Sequence, residues 1–372
     1  MDGGLRHIVL AINGGSSTLK FASFTADRAL ARLAAGSTHH VPGAGGPPID
    51  WLAEQVDFRA VVAVGHRIVL SADRPAKEPV TQELLELLRA ACRHDPDHLP
   101  AQLALVEAIA GRYPGLPQLA CHDSAFHATM PPVARILPIP LRFEAAGIRR
   151  YGFHGLSCAY LVQELARVAG AEAGHGRLIL AHLGGGASLT AVHRGASVDT
   201  SMGYTPAGGL IMGTRPGDLD PGLALALMQH DNLTGPAFDA LMNHDSGLLG
   251  VSGITGDMRK LLERQTSDAH AAAAVAVFCY QVRKWIGAFA AVLDGVDTLV
   301  FSGGIGENVP EVRARSCQNL GFLGIRIDPE RNAANAPVIS CHDSPVTVRV
   351  IATDEEWMIA KAVWTTMEEM SR

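Results

Sequence analysis

The segment Ile8-Val9-Leu10-Ala11-Ile12-Asn13-Gly14-Gly15-Ser16-Ser17-Thr18-Leu19-Lys20-Phe21-Ala22-Ser23-Phe24 decides how this chain is expected to fold. Two apolar runs flank a turn of small polar residues, a pattern that predicts two strands joined by a tight loop. The layout recurs near residues 177–194, where Leu178–Leu180 leads into Gly184–Ser188 and Leu189–Val192 follows. Two similar glycine-bearing hairpins predict a duplicated domain.

Short β-branched runs alternate with helical patterns along the rest of the chain. The runs lie at 60–64, 299–301 and 346–351, and the helical patterns at 81–91, 101–110, 158–168 and 270–293. Alternation of this kind predicts an α/β fold. Near the end, residues 355–367 place Trp357, Ala360, Trp364 and Met367 on one helical face, so this helix is expected to dock onto a domain.

Composition and charge narrow the class of protein. The chain has 372 residues, of which 48% are hydrophobic and 18% are charged, as is typical of a globular protein with two domains. A net charge of −6 and a pI of about 6.2 argue against nucleic acid or an acidic membrane surface as the main partner. An anionic substrate would therefore have to meet locally placed cations.

No segment indicates export or membrane insertion. The first residues, Met1–Arg6, lack the basic and apolar regions of a signal peptide, and the longest apolar run, Ala271–Tyr280, is far shorter than the roughly 20 residues that cross a bilayer.

The six cysteines form no Cys-x-x-Cys pair, and no His-Glu-x-x-His motif occurs. The sequence therefore predicts a cytoplasmic protein with reduced thiols and no zinc site.

Three glycine-rich segments follow predicted strands, namely Asn13–Lys20, His182–Ser188 and Ser302–Asn308. Small residues let several backbone N–H groups point into one concavity, as phosphate binding requires. None of the three is a Walker A loop or a Gly-x-Gly-x-x-Gly turn, and any one alone is equally consistent with an ordinary turn. Three in one chain, two of them on the repeated hairpins, favour a nucleotide held in a cleft between two domains.

Four charged residues lie close to strand ends or between glycines. Arg67 follows a predicted strand and Arg215 lies in a turn, although an isolated arginine is more often a surface residue. Asp123 ends an apolar run, where either a catalytic carboxylate or a helix N-cap is expected. His154 lies near two glycines and is either a ligand contact or an ordinary loop histidine. Cations, a carboxylate and phosphate loops together suit phosphoryl transfer.

Taken together, these segments closely resemble the acetate kinase family over nearly the whole chain. The matching stretches are Ile12–Lys20, Ala63–Arg67, Asp123–Pro131, Arg149–Gly155, His182–Ser188, Met212–Arg215, Gly250–Gly253 and Phe301–Asn308. The resemblance implies the actin, Hsp70 and sugar kinase superfold, with two duplicated, ribonuclease H-like βββαβαβα domains and an active site in the cleft between them. The first domain would comprise residues 1–128 and 354–372, and the second, nucleotide-binding domain residues 129–353.

The resemblance also implies a set of residues that handle the acid and the metal. The catalytic residues would be Arg67, His94, Asp123, His154 and Arg215. Arg67 would also bind the acid, in a pocket lined by Val69, Phe153 and Pro206. The resemblance implies a magnesium ion, with manganese as an alternative, that Asn13 and Glu355 would hold.

A second implied set would bind ATP or ADP. The first phosphate loop would contribute Ser16, Thr18 and Lys20, and the second His182, Gly184, Gly185 and Gly186. The adenine and ribose would lie near Asp257, Met258 and Arg259, and the adenosine would rest on Gly304, Ile305, Gly306 and Asn308.

The function that follows from the resemblance is reversible transfer of the ATP γ-phosphoryl group to the carboxylate of acetate or propionate. A carboxylic acid with an ordinary pKa of about 4 to 5 is already anionic near neutral pH, so no general base is needed and Asp123 is a doubtful proton acceptor. We therefore expect direct in-line transfer without a covalent enzyme intermediate. The resemblance further implies a homodimer, metabolically coupled to a phosphate acyltransferase.

One alternative belongs to another functional class. A nucleotide-binding switch, or weak ATPase, of the same superfold would need the nucleotide contacts but not a clamp for a carboxylate. The presence of Arg67, Arg215, Asp123 and His154 argues against that alternative. The preferred acid, the physiological direction and the dimer interface are not decided by the sequence.

Several positions depart from the family pattern. Those beside the acyl site are Leu70–Asp73, Arg93 and Leu156–Cys158, and they imply a changed preference among acids. Those in place of family asparagines are Gly185, Gly256 and Asp354, and they imply altered contacts to the nucleotide or metal.

Overall fold

The computed structural model describes residues 7–15, 18–39, 49–69, 73–92 and 97–371. The strands are β1 (Ile8–Gly14), β2 (Thr18–Thr25), β3 (Arg32–His39), β4 (Val61–Ile68), β5 (Lys77–Pro79), β6 (Gln118–His122), β7 (Arg177–Leu183), β8 (Ala187–His193), β9 (Ala196–Thr200), β10 (Thr298–Ser302) and β11 (Thr347–Val350).

The helices in the described ranges are α1 (Ile49–Gln55), α2 (Gln82–Ala91), α3 (Leu99–Arg112), α4 (Pro132–Arg135), α5 (Leu141–Ala145), α6 (Gly155–Ala169), α7 (Ala171–His175), α8 (Pro221–His230), α9 (Gly235–Ala240), α10 (Gly247–Ser252), α11 (Met258–Arg264), α12 (Ala269–Val292), α13 (Gly303–Asn308), α14 (Pro310–Cys317), α15 (Pro329–Ala333) and α16 (Glu355–Met370). Single turns of 3₁₀ or π helix lie at Ala125–Thr129, Leu241–Asp245 and Gly321–Leu323.

The chain divides into two compact units, each built around one mixed sheet, and the predicted α/β class is confirmed. The first unit comprises Met1–Phe126, Gly155–Tyr160 and Asp354–Arg372, and the second His127–His154 and Leu161–Thr353. The short segment Gly155–Tyr160 thus groups with the first unit, whereas the sequence places it in the second domain. Its first residues explain this, because Gly155 N donates to Asp123 O over 2.9 Å and Leu156 is buried in the first unit's core.

The sheet of the first unit has the strand order β3-β2-β1-β4-β6-β5. The strands β1, β4 and β6 are parallel neighbours, whereas β2 pairs antiparallel with β1 as the hairpin pattern predicts. Parallel strands end at the same edge of a sheet. Asn13, Arg67 and Asp123, which lie at or directly after the carboxyl ends of these strands, are therefore collected at one edge.

Both faces of this sheet are covered, which is why β1 is buried along nearly its whole length. Leu10 and Ile12 pack with residues of α1 and α3, and Val9 and Ala11 pack with α16 on the opposite face. The last helix approaches β4 closely, since a side chain at Gly65 would lie 2.4 Å from Ile359 Cγ2. The docking of the last helix onto a domain is thereby observed.

The sheet of the second unit has the order β11-β10-β7-β8-β9 and contains the second hairpin, β7 and β8. Strand β10 runs parallel to β7, so the turn after β10 and the turn after β7 share an edge. Helix α12 is apolar and long enough, at 24 residues, to cross a membrane by length and composition alone. Nine of its residues, among them Phe278, Ile286 and Phe289, are buried, as expected of the core helix of a globular unit.

Candidate active site

An ion pair lies at the edge where β4 and β6 end. Arg67 Nη2 donates to Asp123 Oδ2 over 2.8 Å, and the side chains are 13% and 0% exposed. Burial by itself lowers the pKa of the Arg67 guanidinium, but the carboxylates of Asp123 and Glu355 outweigh burial and raise this pKa above its ordinary value. Arg67 is therefore a permanent cation at this edge.

Asp123 also meets the beginning of α6. Its backbone oxygen accepts from Gly155 N, and its Oδ1 lies 3.5 Å from Leu156 N, at the limit of a hydrogen bond. A helix N-terminus carries a partial positive charge that stabilises a nearby carboxylate. Asp123 is thus buried between Arg67 and the first turn of α6, whereas the N-cap of that helix is His154.

Asn13 connects Arg67 to two glutamates at the start of α16. Asn13 Nδ2 donates to Glu355 Oε2 over 2.8 Å and to Glu356 Oε1 over 2.9 Å. Arg67 Nη1 lies 3.4 Å from Asn13 Oδ1, and Arg67 Nε lies 4.0 Å from Glu355 Oε2. Asp354 begins the helix by accepting from Trp357 N over 2.9 Å, which places the two glutamates in the first turn.

The donor atoms around Asn13 suit a hydrated magnesium ion. Among the described residues, no cluster of three or more His, Cys, Asp or Glu side chains could hold a metal by itself. Glu355, Glu356 and Asn13 nevertheless supply carboxylate and amide oxygens within one hydrogen-bonded group. Magnesium prefers oxygen donors, and it keeps several waters and binds through one or two carboxylates together with substrate phosphates.

The turn between β1 and β2 is only partly described. Gly15 N donates to Thr18 O over 2.8 Å, which closes the turn, and Lys20 is exposed on β2 opposite Asn13. The predicted phosphate contact Ser16 and the predicted catalytic residue His94 lie outside the described residues, as do Leu70, Ser71, Ala72 and Arg93.

The second unit gathers two histidines beside the turn between β7 and β8. The rings of His154 and His182 stack with centroids 4.3 Å apart, and His154 Nδ1 lies 2.9 Å from Ser188 Oγ. A side chain at Gly186 would lie 3.4 Å from both His154 Nε2 and Arg215 Nη2. Thus His154, His182 and Arg215 lie next to the second glycine turn.

The backbone of His154 is in the left-handed region, with a φ of 58°. Such a conformation is unfavourable for a residue with a side chain and persists only where the surroundings impose it. The preceding residues are tightly held, because His127 Nε2 lies 2.9 Å from Phe153 O and a side chain at Gly152 would overlap the His127 ring. The surroundings therefore fix the direction of the His154 side chain.

Arg215 lies in a turn that is attached to the second hairpin. Gly213 N donates to Gly185 O over 3.1 Å, and Arg215 Nη1 donates to Pro206 O over 2.8 Å. A side chain at Gly256 would lie 2.5 Å from Gly213 O, whereas one at Gly185 would enter open space. Of these two departures from the family pattern, close backbone contact therefore accounts for Gly256 but not for Gly185.

The third glycine segment comprises the last residue of β10, Ser302, and all of α13. A side chain at Gly303, whose φ is 76°, would lie 2.7 Å from Leu183 O, so only glycine fits there. Glu307 Oε1 accepts from Gly303 N over 2.8 Å and from Thr353 N over 3.1 Å. The second and third glycine segments are adjacent within this unit.

The opposite end of α13 is held by Arg313, a residue that sequence reasoning missed. The guanidinium is fully buried, and it donates to Gly306 O and Glu307 O over 2.8 and 3.0 Å. It also donates to the backbone and side-chain oxygens of Asn332 and to Asn335 Oδ1. Burial lowers the pKa of Arg313 to about 10.

The remaining predicted nucleotide contacts lie at the start of α11. Asp257 is the N-cap of this helix and accepts from Arg259 N over 2.9 Å, while Met258 is buried and the Arg259 side chain is exposed. Of the predicted acyl-pocket residues, Val69 belongs to the first unit, and Phe153 and Pro206 belong to the second.

Two further site residues could have been found in the sequence. Glu356 adjoins Glu355 and makes the same contact to Asn13, and Ser188 belongs to the second glycine segment. In contrast, Arg313 carries no such signal, because an arginine between helical residues reads as a surface residue.

Comparison with known proteins places these residues in context. The model of the Acetokinase family matches residues 50–361. The chain is 40% identical to an acetate kinase of Rhodopseudomonas palustris, over 96% of this chain and 98% of that protein. It is 45% identical to an acetate kinase of Symbiobacterium thermophilum, over 81% and 77% of the two chains.

Solved structures agree with the sequence comparison. An acetate kinase of Porphyromonas gingivalis superimposes with a TM-score of 0.86 at 32% identity, over 97% of this chain and all of that one. A propionate kinase of Francisella tularensis superimposes with a TM-score of 0.88 at 32% identity, over 96% of this chain and 98% of that one.

Proposed function

Because this chain belongs to the acetate kinase family and phosphorylates acetate or propionate with ATP as donor, we propose that the phosphoryl group passes directly from ATP to the acid. An oxygen of the acid's carboxylate forms a bond to the γ-phosphorus while the bond from that phosphorus to the bridging oxygen of ADP breaks. The products are an acyl phosphate and ADP, and the reverse step regenerates ATP. The paired Arg67 and Asp123, with Asn13 beside them, are the observation that carries this proposal.

The main obstacle to this reaction is the electrostatic repulsion between the acid's carboxylate and the polyphosphate of ATP. The positive charge of Arg67 reduces this repulsion. Its guanidinium stays charged beside two carboxylates and is mostly buried, so little water screens its charge. A buried cation stabilises the charge that spreads over the phosphoryl oxygens during transfer. Asp123 holds this cation by a direct hydrogen bond, and it is not needed as a base because the acid is already ionised.

The second unit would bind the nucleotide and the phosphoryl group that is being transferred. The backbone at Gly185 faces open space, and His154 and Arg215 lie next to Gly186, while Gly184 N donates to Gly186 O over 2.9 Å and shapes the turn. Cations and imidazole N–H groups placed beside a phosphate loop suit the γ-phosphoryl oxygens. The segment Gly303–Asn308, adjacent to that turn, would support the adenosine, and Asp257–Arg259 would adjoin the base and ribose.

A magnesium ion would be held near Glu355, with Asn13 and Glu356 completing the oxygen donors on the protein. When bound, it neutralises charge on the ATP phosphates. Asn13 orients both glutamates through its amide, and Arg67 lies close enough to Glu355 to limit the net negative charge of the group.

We propose a homodimer in the cytoplasm, which supplies acyl phosphate to, or receives it from, a phosphate acyltransferase. We further propose that the departure at Gly185 weakens contacts to the nucleotide, because an asparagine side chain would have room there and is missing. One lost hydrogen bond to a charged phosphate is worth about 1.5–3 kcal/mol.

The test is to trap acyl phosphate as its hydroxamate with ATP, Mg²⁺ and acetate, propionate or butyrate. We expect hydroxamate from acetate and propionate, with kcat/KM ranking the acids. Absence of product from all three acids would exclude the proposal. The Arg67→Ala variant then separates a kinase from a nucleotide switch, because a kinase loses turnover and keeps nucleotide affinity, whereas a switch keeps both its slow hydrolysis and its affinity.

A further inference from the structure

The β1–β4 ladder ends at the residues directly before Asn13 and Arg67. The parallel pairing of β1 and β4 ends at Ile12 and His66. Within the described residues, no β1–β4 pair follows this one, so the ladder does not join Gly14 to Val69. Arg67 and Asn13 contact each other and Glu355 through their side chains, but the backbone on the far side of each is held by a different residue.

Gln102, on α3, supplies a tie at this point. Its Oε1 accepts from Val69 N over 3.0 Å, and its Nε2 donates to Gly14 O over 2.8 Å. The side chain is 5% exposed. In a sheet, a backbone peptide group accepts a hydrogen bond from one side and donates one to the other. The Gln102 amide does the same between Gly14, the last residue of β1, and Val69, the residue directly after β4.

The two backbone groups that Gln102 joins are next to site residues. Gly14 directly follows Asn13, and Val69 lies two residues after Arg67. A cavity of about 20 Å³, which is room for about one water molecule, is lined by Gln102 together with Gly14, Arg67 and other residues. Loss of the tie would leave two polar backbone groups without this partner and allow the turn and the strand end to move apart.

We propose that Gln102 is a positioning residue for phosphoryl transfer, which sets the distance between Asn13 and Arg67 without touching a substrate. This inference rests on the proposed function of Arg67. Misplacement of a reacting group by about 1 Å can cost up to about 100-fold in rate. The loss of Gln102 should therefore appear in kcat, since ATP is bound mainly by the second unit.

Gln118, at the start of β6, is a matched control in the same unit. Its amide is also tied at both ends, because Nε2 donates to Val106 O over 3.2 Å and Oε1 lies 2.7 Å from His66 Nε2. Neither bond joins the turn after Asn13 to the end of β4. Gln118→Met thus removes a comparable pair of hydrogen bonds from the sheet and leaves the tie at Gln102 intact.

The experiment compares Gln102→Met with Gln118→Met, two variants that keep side-chain length and remove the amide. Melting temperature, kcat, and KM for acid and for ATP are measured in the hydroxamate assay with the full-length protein. We expect both variants to lower the melting temperature. Only Gln102→Met should lower kcat, by about 10- to 100-fold, with KM for ATP near that of the unaltered protein.

Equal kcat values for the two variants would overturn the proposal and would leave the proposed function standing. Should Gln102→Met fail to fold, Gln102→Asn decides, because it keeps a neutral amide that is one methylene too short to reach both Val69 N and Gly14 O. An unchanged kcat in Gln102→Asn would likewise refute the positioning role, and a reduced kcat would support it. Failure of the unaltered protein to form hydroxamate would count against the proposed function, which the same assay reports separately.

Discussion

Arg67 donates from Nη2 to Asp123 Oδ2 over 2.8 Å, and the Asp123 carboxylate is completely buried. The pair therefore forms where water cannot replace either partner. Removing one partner of a buried pair leaves the other charge uncompensated and is far more costly than losing an exposed pair. Asp123 thus fixes the geometry and charge of Arg67, and the consequences of that relationship can be measured.

Asp123→Asn should lower kcat by about 100-fold, because the shape of the site is kept while the charge that holds Arg67 is lost. The shape of the kcat against pH curve should not change, since Asp123 is proposed to hold Arg67 and not to accept a proton. Steady-state kinetics from pH 5.5 to 9, a range chosen around neutrality, provide the measurement. Asp57→Asn, which removes an exposed 2.8 Å pair with Arg59, is the control. Loss of an acidic limb in the Asp123→Asn profile would instead identify this residue as a base.

Glu355→Gln should weaken the response to magnesium. The substitution keeps the acceptor for Asn13 and removes one negative charge from the proposed metal group. We expect the Mg²⁺ concentration for half-maximal rate to rise by about 10-fold or more. Titration of Mg²⁺ at fixed ATP, after removal of metal with EDTA, gives this value. If Glu355→Gln and the unaltered protein need the same Mg²⁺ concentration for half-maximal rate, Glu355 does not bind the metal.

Arg313→Met should destabilise the second unit and weaken nucleotide binding. The change leaves the carbonyl oxygens at the end of α13 without their buried donor, which costs about 3 kcal/mol. KM for ATP should rise more than KM for the acid, because α13 carries the proposed adenosine contacts. Arg315→Met, two residues along the same helix, removes an exposed pair with Glu311 and serves as the control. Equal changes in the two KM values would show that Arg313 supports stability alone.

Stability should fall as the pH is lowered from about 6.5 towards 4. Burial lowers the pKa of His66 to about 4, although the hydrogen bond with Gln118 opposes the shift. The unfolded chain takes up a proton at this histidine near pH 6.5, whereas the folded chain does so only near pH 4. The free energy of unfolding should therefore be about 2 kcal/mol lower at pH 5 than at pH 7 from this residue alone. Burial lowers the pKa of His122 as well, so its effect has the same sign.

Urea unfolding at pH 7 and pH 5 provides the check on this pH dependence. In His66→Gln the difference between the two pH values should shrink by about the same 2 kcal/mol. An unchanged pH dependence in that variant would show that His66 is not the group responsible.

Local sequence patterns were sufficient to predict much of the fold. The two glycine-bearing hairpins are present as β1 with β2 and β7 with β8, because apolar runs around small polar residues have few other ways to satisfy their backbone. The strand-end positions of Arg67 and Asp123 also followed from local pattern. The positions of Gln102 and Arg313 did not, since both lie in helical segments whose local pattern says nothing about a distant turn.

The sequence by itself determined the class of fold and the family, because hydrophobic periodicity and glycine turns act between near neighbours and can be seen along the chain. Only the tertiary structure decided how the ends of β1, β4 and β6 are joined to α16, so that Asn13 contacts Glu355 across 342 positions of sequence. It also decided that Gln102 joins Gly14 to Val69 and that Arg313 lies buried among carbonyl oxygens. Contacts of this kind depend on where whole helices pack against a sheet, and packing is a property of the assembled layers.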